Sequence, residues 1–219
     1  WACRVDDLAR AVGCRVGAAV HSVRAVPREQ IPPIAEWATQ RGAMLHMHLS
    51  EQPAENEACQ AAYGCSPTAV FHDAGALGSR TSAVHATHLT DGDVGLLGES
   101  RTFSCFCPTT ERDLADGIGP ATRLERAGSR LTLGSDSHAV IDPFEEMRGL
   151  ELDERLASGE RGHWSALELL ATATRSGHES LGVPDAGQIA VGQRADLVTI
   201  DLTTMRTAGT GPTPEAAVF

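Results

Sequence analysis

Lysine is absent from this chain. All 18 basic residues of the 219 are arginine, set against 29 acidic ones for a formal net charge of −11. The chain therefore supplies no Schiff-base or carboxylated lysine. Its charge balance argues against nucleic-acid binding, which leans on a basic patch. The whole-molecule field repels an anionic ligand, so a few local arginines must hold one. No run of about 18 apolar residues occurs, and the opening WACRVDDLAR lacks the basic and apolar regions of a signal peptide. Neither membrane insertion nor secretion is expected. Aromatic residues are scarce, at 4% with a single tyrosine. The six cysteines (Cys3, Cys14, Cys59, Cys65, Cys105, Cys107) show neither a Cys-x-x-Cys pair nor finger spacing. A chain of this size needs no disulfide staples, so they are expected as reduced, mostly buried thiols of a cytoplasmic protein.

What is present is ordinary globular material, 42% hydrophobic and 21% charged. Short apolar strands alternate with helical stretches. RVGAAVHSVRAV reads as a strand, PREQIPPIAEWATQRG as a helix with proline first and glycine last, and AMLHMHLS as the next strand. Helical PAENEACQAAYG and SPTAVFHDAGALG lead to strand TSAVHATHL, then helix TDGDVGLLGES, strand TFSCFCPTT, helix GPATRLERAG and strand RLTLGSDS. Five strands with intervening helices predict repeated βαβ units and a parallel sheet. Two helical pieces follow, DPFEEMRGLELDERLASG and WSALELLATATRSGHESLG. The glycine-punctuated tail GQIAVGQRADLVTIDL predicts strands outside the main sheet.

Polar residues fall at the carboxyl ends of those strands: His21, Ser22 and Arg24; His46, His48 and Glu51; His85 and His88; Thr109, Thr110 and Glu111; Ser135, Asp136, Ser137 and His138. Strand-end loops on that face carry the active sites of α/β barrels and open sheets. MLHMHLSEQ contains both a His-x-His and a His-x-x-Glu, and strand alternation aims His46 and His48 at one face. His85 follows His48 by 37 positions, room for a single βαβ step, and Asp136 follows His85 by 51, room for two. The order is therefore His48 on one strand, His85 on the next, one intervening strand, then Asp136.

That order, with HLSE, HATH and LGSDSH at the strand ends, resembles the amidohydrolase superfamily of metal-dependent (β/α)8 barrels, whose deaminase branch carries His-x-x-Glu, His and Asp on strands five, six and eight. HSVRAVP, HLSEQPAENEAC, CPTTERDLADGIGPA and GSDSHAVIDPFEEMRGLELDERL resemble the formimidoylglutamate deiminases within that branch. The resemblance implies an α/β fold comprising strands 4 to 8 of a TIM barrel over residues 1–183. Residues 184–219 would begin a small β-sandwich domain. The implied reaction is hydrolysis of N-formimidoyl-L-glutamate to N-formyl-L-glutamate and ammonia, with one divalent metal, zinc. His48 and Asp136, residue types suited to zinc, are its expected ligands. Glu51 is the expected proton shuttle, and His85 a partner of the hydrolytic water and substrate. His21 and Arg24 are expected on the anionic substrate. Two-metal relatives bridge their ions through a carboxylated lysine where this chain has HSVRAV, so one metal is implied. The family's first-strand His-x-His has no counterpart here. The 219 residues are thus expected to be part of a longer enzyme, a homodimer when complete, and on their own to bind zinc poorly and not turn over.

The plainer roles are a surface ion pair for Arg24 and a pocket wall for His46. His88, His138, Cys105 and Cys107 are expected to be structural, and Glu111 and Asp116 to touch ligand or cap a helix. A related aminohydrolase of a nucleobase or other cyclic amidine would be expected to stack its ring on aromatics, which are few. A non-catalytic scaffold has no reason to keep His48, Glu51, His85 and Asp136 together.

Overall fold

Proline and glycine punctuate the helices in the expected order. Pro53, Pro67, Pro108 and Pro143 each open a helix at its first position, where the missing N–H has no intrahelical partner to lose. Gly42 and Gly64 close two helices with left-handed φ of 58° and 70°, a conformation cheap only without a Cβ. The computed structural model describes residues 4, 5, 7, 14–205 and 207–219; Cys3 and most of the opening segment lie outside them. The elements are β1 (Ala18–Val20), a 3-10 turn (Arg28–Gln30), α1 (Ile31–Arg41), β2 (Leu45–Leu49), α2 (Pro53–Tyr63), α3 (Pro67–Asp73), β3 (Thr81–His85), α4 (Asp91–Glu99) and β4 (Phe103–Phe106). Then come α5 (Pro108–Asp113), α6 (Ala121–Ala127), β5 (Arg130–Leu133), α7 (Pro143–Ser158), α8 (Ala166–Ala171), a π-helical turn (Thr172–Ser176), α9 (Gly177–Ser180) and α10 (Pro214–Val218). The stretch expected as one helix over WSALELLATATRSGHESLG is thus interrupted by the π turn.

All five strands are parallel and lie in the order β1-β2-β3-β4-β5. A doubly wound sheet reverses its strand order partway; unreversed order is that of consecutive strands in a (β/α) barrel. The two faces differ. On β2, Leu45, Met47 and Leu49 are buried, whereas His46 and His48 are half-buried on the opposite side. The buried face packs with Val20, Ile31, Phe71, Leu97, Leu124 and Leu169 into one hydrophobic core between sheet and helices. That leaves the other face to carry the histidines.

Among the described residues no strand forms after β5, contrary to the expectation for the tail. Ile189, Val191, Leu197 and Val198 are exposed in an irregular run. A strand needs a neighbour to take up its backbone groups, and no described segment pairs with this one. The last helix, α10, returns to pack on α7 and α8 and buries Val218 completely. Among the described residues no helix is long and apolar enough to cross a membrane. The five described cysteines are free: Cys59 and Cys107 buried, Cys65 and Cys105 half-buried, Cys14 exposed.

Candidate metal centre and active site

Ser50 after β2, His85 and Ala86 at the end of β3, and Asp136 after β5 all have left-handed φ, at 49°, 72°, 50° and 48°. Each such residue costs about 1–3 kcal/mol, and strain of this kind gathers where a site is held in place. At His85 it redirects a side chain. The register sets His85 beside Leu49, whose side chain faces the helices. The imidazole instead stacks on His48, with ring centroids 5.6 Å apart and 18° between planes.

His48 lies between two histidines, its centroid 4.9 Å from that of His21. Its Nδ1 donates to the His21 carbonyl oxygen at 2.8 Å. That bond fixes the tautomer and leaves Nε2 with a free lone pair, the usual preparation of a ligating histidine. Asp136 Oδ2 lies 3.9 Å from His85 Nε2. His48, His85 and Asp136 each present a donor atom within 4.8 Å of the other two. His85 Nε2 is buried and has no hydrogen-bond partner. An orphaned buried imidazole nitrogen costs about 1–3 kcal/mol unless something occupies the space beside it. Imidazole nitrogen and carboxylate oxygen are zinc ligands, so the residues present fit a divalent cation.

Glu51 stands beside this group. Its Oε1 is 3.7 Å from His85 Nε2, its Oε2 accepts from Arg24 Nη2 at 2.6 Å, and its peptide N–H donates to Glu55 Oε2 at 3.2 Å. Arg24 Nε is also 3.6 Å from the buried Glu55 carboxylate. The arginine thus spans two glutamates. His21 is exposed at the rim, with Nδ1 3.0 Å from Ser22 Oγ.

Sequence reasoning underrated Glu111, which caps a helix and also reaches the site. It accepts from the Cys107 N–H at 2.8 Å at the start of α5, and the same Oε1 lies 3.2 Å from His85 Nδ1. A glutamate in the first turn of a helix that directly follows a strand end was the available signal. Burial lifts the Glu111 carboxyl despite His85 and the Cys107 amide. Burial also pushes the His85 pKa down, but Glu111, Glu51 and Asp136 more than reverse this, so it lies above the ordinary histidine value. The remaining candidates point elsewhere. His46 Nε2 meets the Ser180 carbonyl at 3.1 Å, as a wall residue should. His88 Nε2 donates to the Asp116 carbonyl oxygen, and Asp116 Oδ1 accepts from Gln52 Nε2. His138 is exposed. A hollow of about 1330 Å³ lies at the opposite end of the strands, among Arg15, Met44, Arg80 and Arg130.

Sequential parallel strands, with imidazoles and a carboxylate converging at their carboxyl ends, define the class: a β/α-barrel chain with a candidate metal centre. Residues 5–219 match the model of the amidohydrolase family. The chain is 36% identical over 198 residues to formimidoylglutamate deiminase of Pseudomonas aeruginosa, covering 87% of this chain and 43% of that protein. It is 33% identical over 184 residues to 5-methylthioadenosine/S-adenosylhomocysteine deaminase of Pelotomaculum thermopropionicum, covering 83% and 42%. The crystal structure of an adenosine deaminase from Xanthomonas campestris with bound zinc superposes with a TM-score of 0.88 at 29% identity, covering 93% of this chain and 47% of that one. The chain belongs to the amidohydrolase family. It spans less than half the length of these relatives.

Proposed function

We propose that this chain forms the strand-5-to-8 side, with the preceding strand, of a one-metal deaminase site that hydrolyses N-formimidoyl-L-glutamate to N-formyl-L-glutamate and ammonia. The observation that carries the reading is the convergence of His48, His85 and Asp136 with Glu51 Oε1 3.7 Å from His85 Nε2. His48 Nε2 and the Asp136 carboxylate would hold the cation. Two further ligands would come from a first-strand His-x-His that these 219 residues do not supply. A bound zinc ion lowers the pKa of water to about 7. Glu51 takes a proton from the attacking water on Oε1 and delivers it to the imine nitrogen of the N–CH=NH group. The carbon gains the oxygen; the remaining hydroxyl proton then passes through Glu51 to the same nitrogen, the C–N bond breaks and ammonia leaves. His85 Nε2 orients the incoming oxygen, and Glu111 holds the ring from its Nδ1 side. At the rim, Arg24 and His21 face the carboxylates of a small anionic substrate. Reduced thiols fit a cytoplasmic setting, and a homodimer of the complete enzyme belongs to the same reading.

Identity to the 5-methylthioadenosine/S-adenosylhomocysteine deaminase supports a second reading, an aminopurine substrate, in which the same water attacks a ring amidine carbon. The two are separated by ammonia release from N-formimidoyl-L-glutamate and from 5-methylthioadenosine. Both would be assayed on this chain with zinc, alone and joined to the amino-terminal half of the Pseudomonas aeruginosa relative. No turnover is expected from the chain alone, and preference for N-formimidoyl-L-glutamate from the joined protein. Preference for 5-methylthioadenosine would select the second reading, and zinc binding without turnover of either would leave a scaffold.

A further inference from the structure

Behind the face that His48 and Asp136 share, a second set of donors converges on His85. His85, Cys107 and Glu111 each offer a ligand atom within 4.8 Å of the other two, and they are 0%, 1% and 5% exposed. Cys105 lies two residues before Cys107, in β4. Both sulfurs gather over Gly134: a Cβ there would lie 3.4 Å from Cys107 Sγ and 3.5 Å from Cys105 Sγ. The missing side chain thus leaves room for two sulfurs side by side.

Two thiols, an imidazole and a carboxylate make a mixed S2NO set, suited to a thiophilic divalent ion. Along one edge the spacing is already close to what such an ion needs. With metal–N and metal–O bonds of about 2.1 Å, a tetrahedron has an N···O edge of about 3.4 Å. His85 Nδ1 and Glu111 Oε1 are 3.2 Å apart. Cys105 is half-buried and so less enclosed than Cys107.

We propose that Cys105, Cys107, His85 and Glu111 form a second cation site, for a thiophilic divalent ion of the zinc class, which shares His85 with the His48–Asp136 centre. On binding, two S–H bonds break and two S–metal bonds form. The two thiol protons leave to solvent, and the His85 proton moves from Nδ1 to Nε2. Glu111 gives up its hold on the His85 ring. Excess zinc therefore inhibits the enzyme; that consequence rests on the deaminase reading, whereas binding does not.

Cd2+ titrated into the metal-stripped 219-residue chain reads the site through thiolate-to-cadmium charge-transfer absorption, independently of activity. A band saturating at one equivalent is expected. Its affinity should fall at least tenfold in Cys107→Ser and Cys105→Ser, and about tenfold in Glu111→Gln, which leaves both sulfurs in place. Cys14→Ser and Asp136→Asn should keep the band, the latter separating this site from the proposed catalytic one. Circular dichroism checks folding; should Cys107→Ser unfold, Cys105→Ser and Glu111→Gln decide. No band, or a band that both of those variants leave unchanged, overturns the proposal.

Discussion

Arg24 Nη2 donates to Glu51 Oε2 across 2.6 Å while its Nε stands 3.6 Å from Glu55 Oε2. The arginine expected to meet the substrate thus also grips the glutamate expected to move its proton. Glu55 closes the arrangement by accepting from the Glu51 peptide N–H. Burial pushes the Glu55 carboxyl up, opposed chiefly by Arg24. A clamp on Glu51 and a fork for a carboxylate make different demands on kinetics.

Arg24→Ala separates them in an active, zinc-loaded enzyme containing this chain. Loss of the clamp lets Glu51 drift, and kcat is expected to fall about ten- to a hundredfold for anionic and neutral amidines alike. Loss of the fork raises KM for the anionic substrate only. Steady-state kinetics on one substrate of each kind gives both numbers. An unchanged kcat would remove the clamp from the account.

Metal content tests the donor assignment without any turnover. In the zinc-loaded enzyme containing this chain, replacing His48 or Asp136 with alanine removes a ligand, so zinc retained at that centre after dialysis, measured by elemental mass spectrometry, should drop at least tenfold. Glu51→Gln keeps the size of the side chain and is not a ligand, so its zinc content should match that of the parent chain. Equal zinc in all three variants would mean that the ion sits elsewhere.

The sheet was legible because its signals are local. Short apolar runs separated by helical stretches, with proline and glycine at the helix ends, located all five strands, and the spacing from His48 through His85 to Asp136 placed the polar ends in order. What escaped was set by tertiary packing. Nothing in HATH announces that His85 leaves the strand with φ of 72° and swings over to His48. Glu111 read as touching ligand or capping a helix; it does cap one, and its contact with His85 needs β3 alongside. Glycine punctuation and β-rich runs marked residues 187–202 as strands, but local composition cannot supply the neighbour a strand requires.

Packing between the outer helices rests on Gly98. A Cβ built there would lie 2.2 Å from the Ala127 carbonyl oxygen and 2.6 Å from the Ala127 Cβ, where α4 crosses the end of α6. Backbone cannot move aside as a flexible side chain can. Gly98→Ala, normally favourable in a helix, is therefore expected to destabilise by about 2–3 kcal/mol and to lower Tm by about 5–10 °C in a calorimetric scan. A raised Tm would show that α4 and α6 are not this close in solution.

Glu151 gives the fold a definite acid response. Its fully buried carboxylate accepts from Arg155 Nε at 2.6 Å, the Gly162 N–H at 3.0 Å and the Trp164 N–H at 2.8 Å, fastening α7 to the loop that precedes α8. Burial works against the charged form, but the Arg155 guanidinium and the two amides outweigh it and hold the carboxyl below the usual glutamate range. A carboxyl whose pKa is lower in the folded chain stabilises the fold fully above its unfolded value of about 4.3 and loses that contribution as pH falls through the folded value. Glu151→Gln keeps the shape but weakens the charge-assisted bonds, at a cost of about 2 kcal/mol near neutral pH. Urea unfolding at pH 7 and again at successively lower pH should show the gap between parent and variant closing only below the ordinary glutamate range. A gap that stays constant down to pH 3 would assign the loss to packing and not to charge.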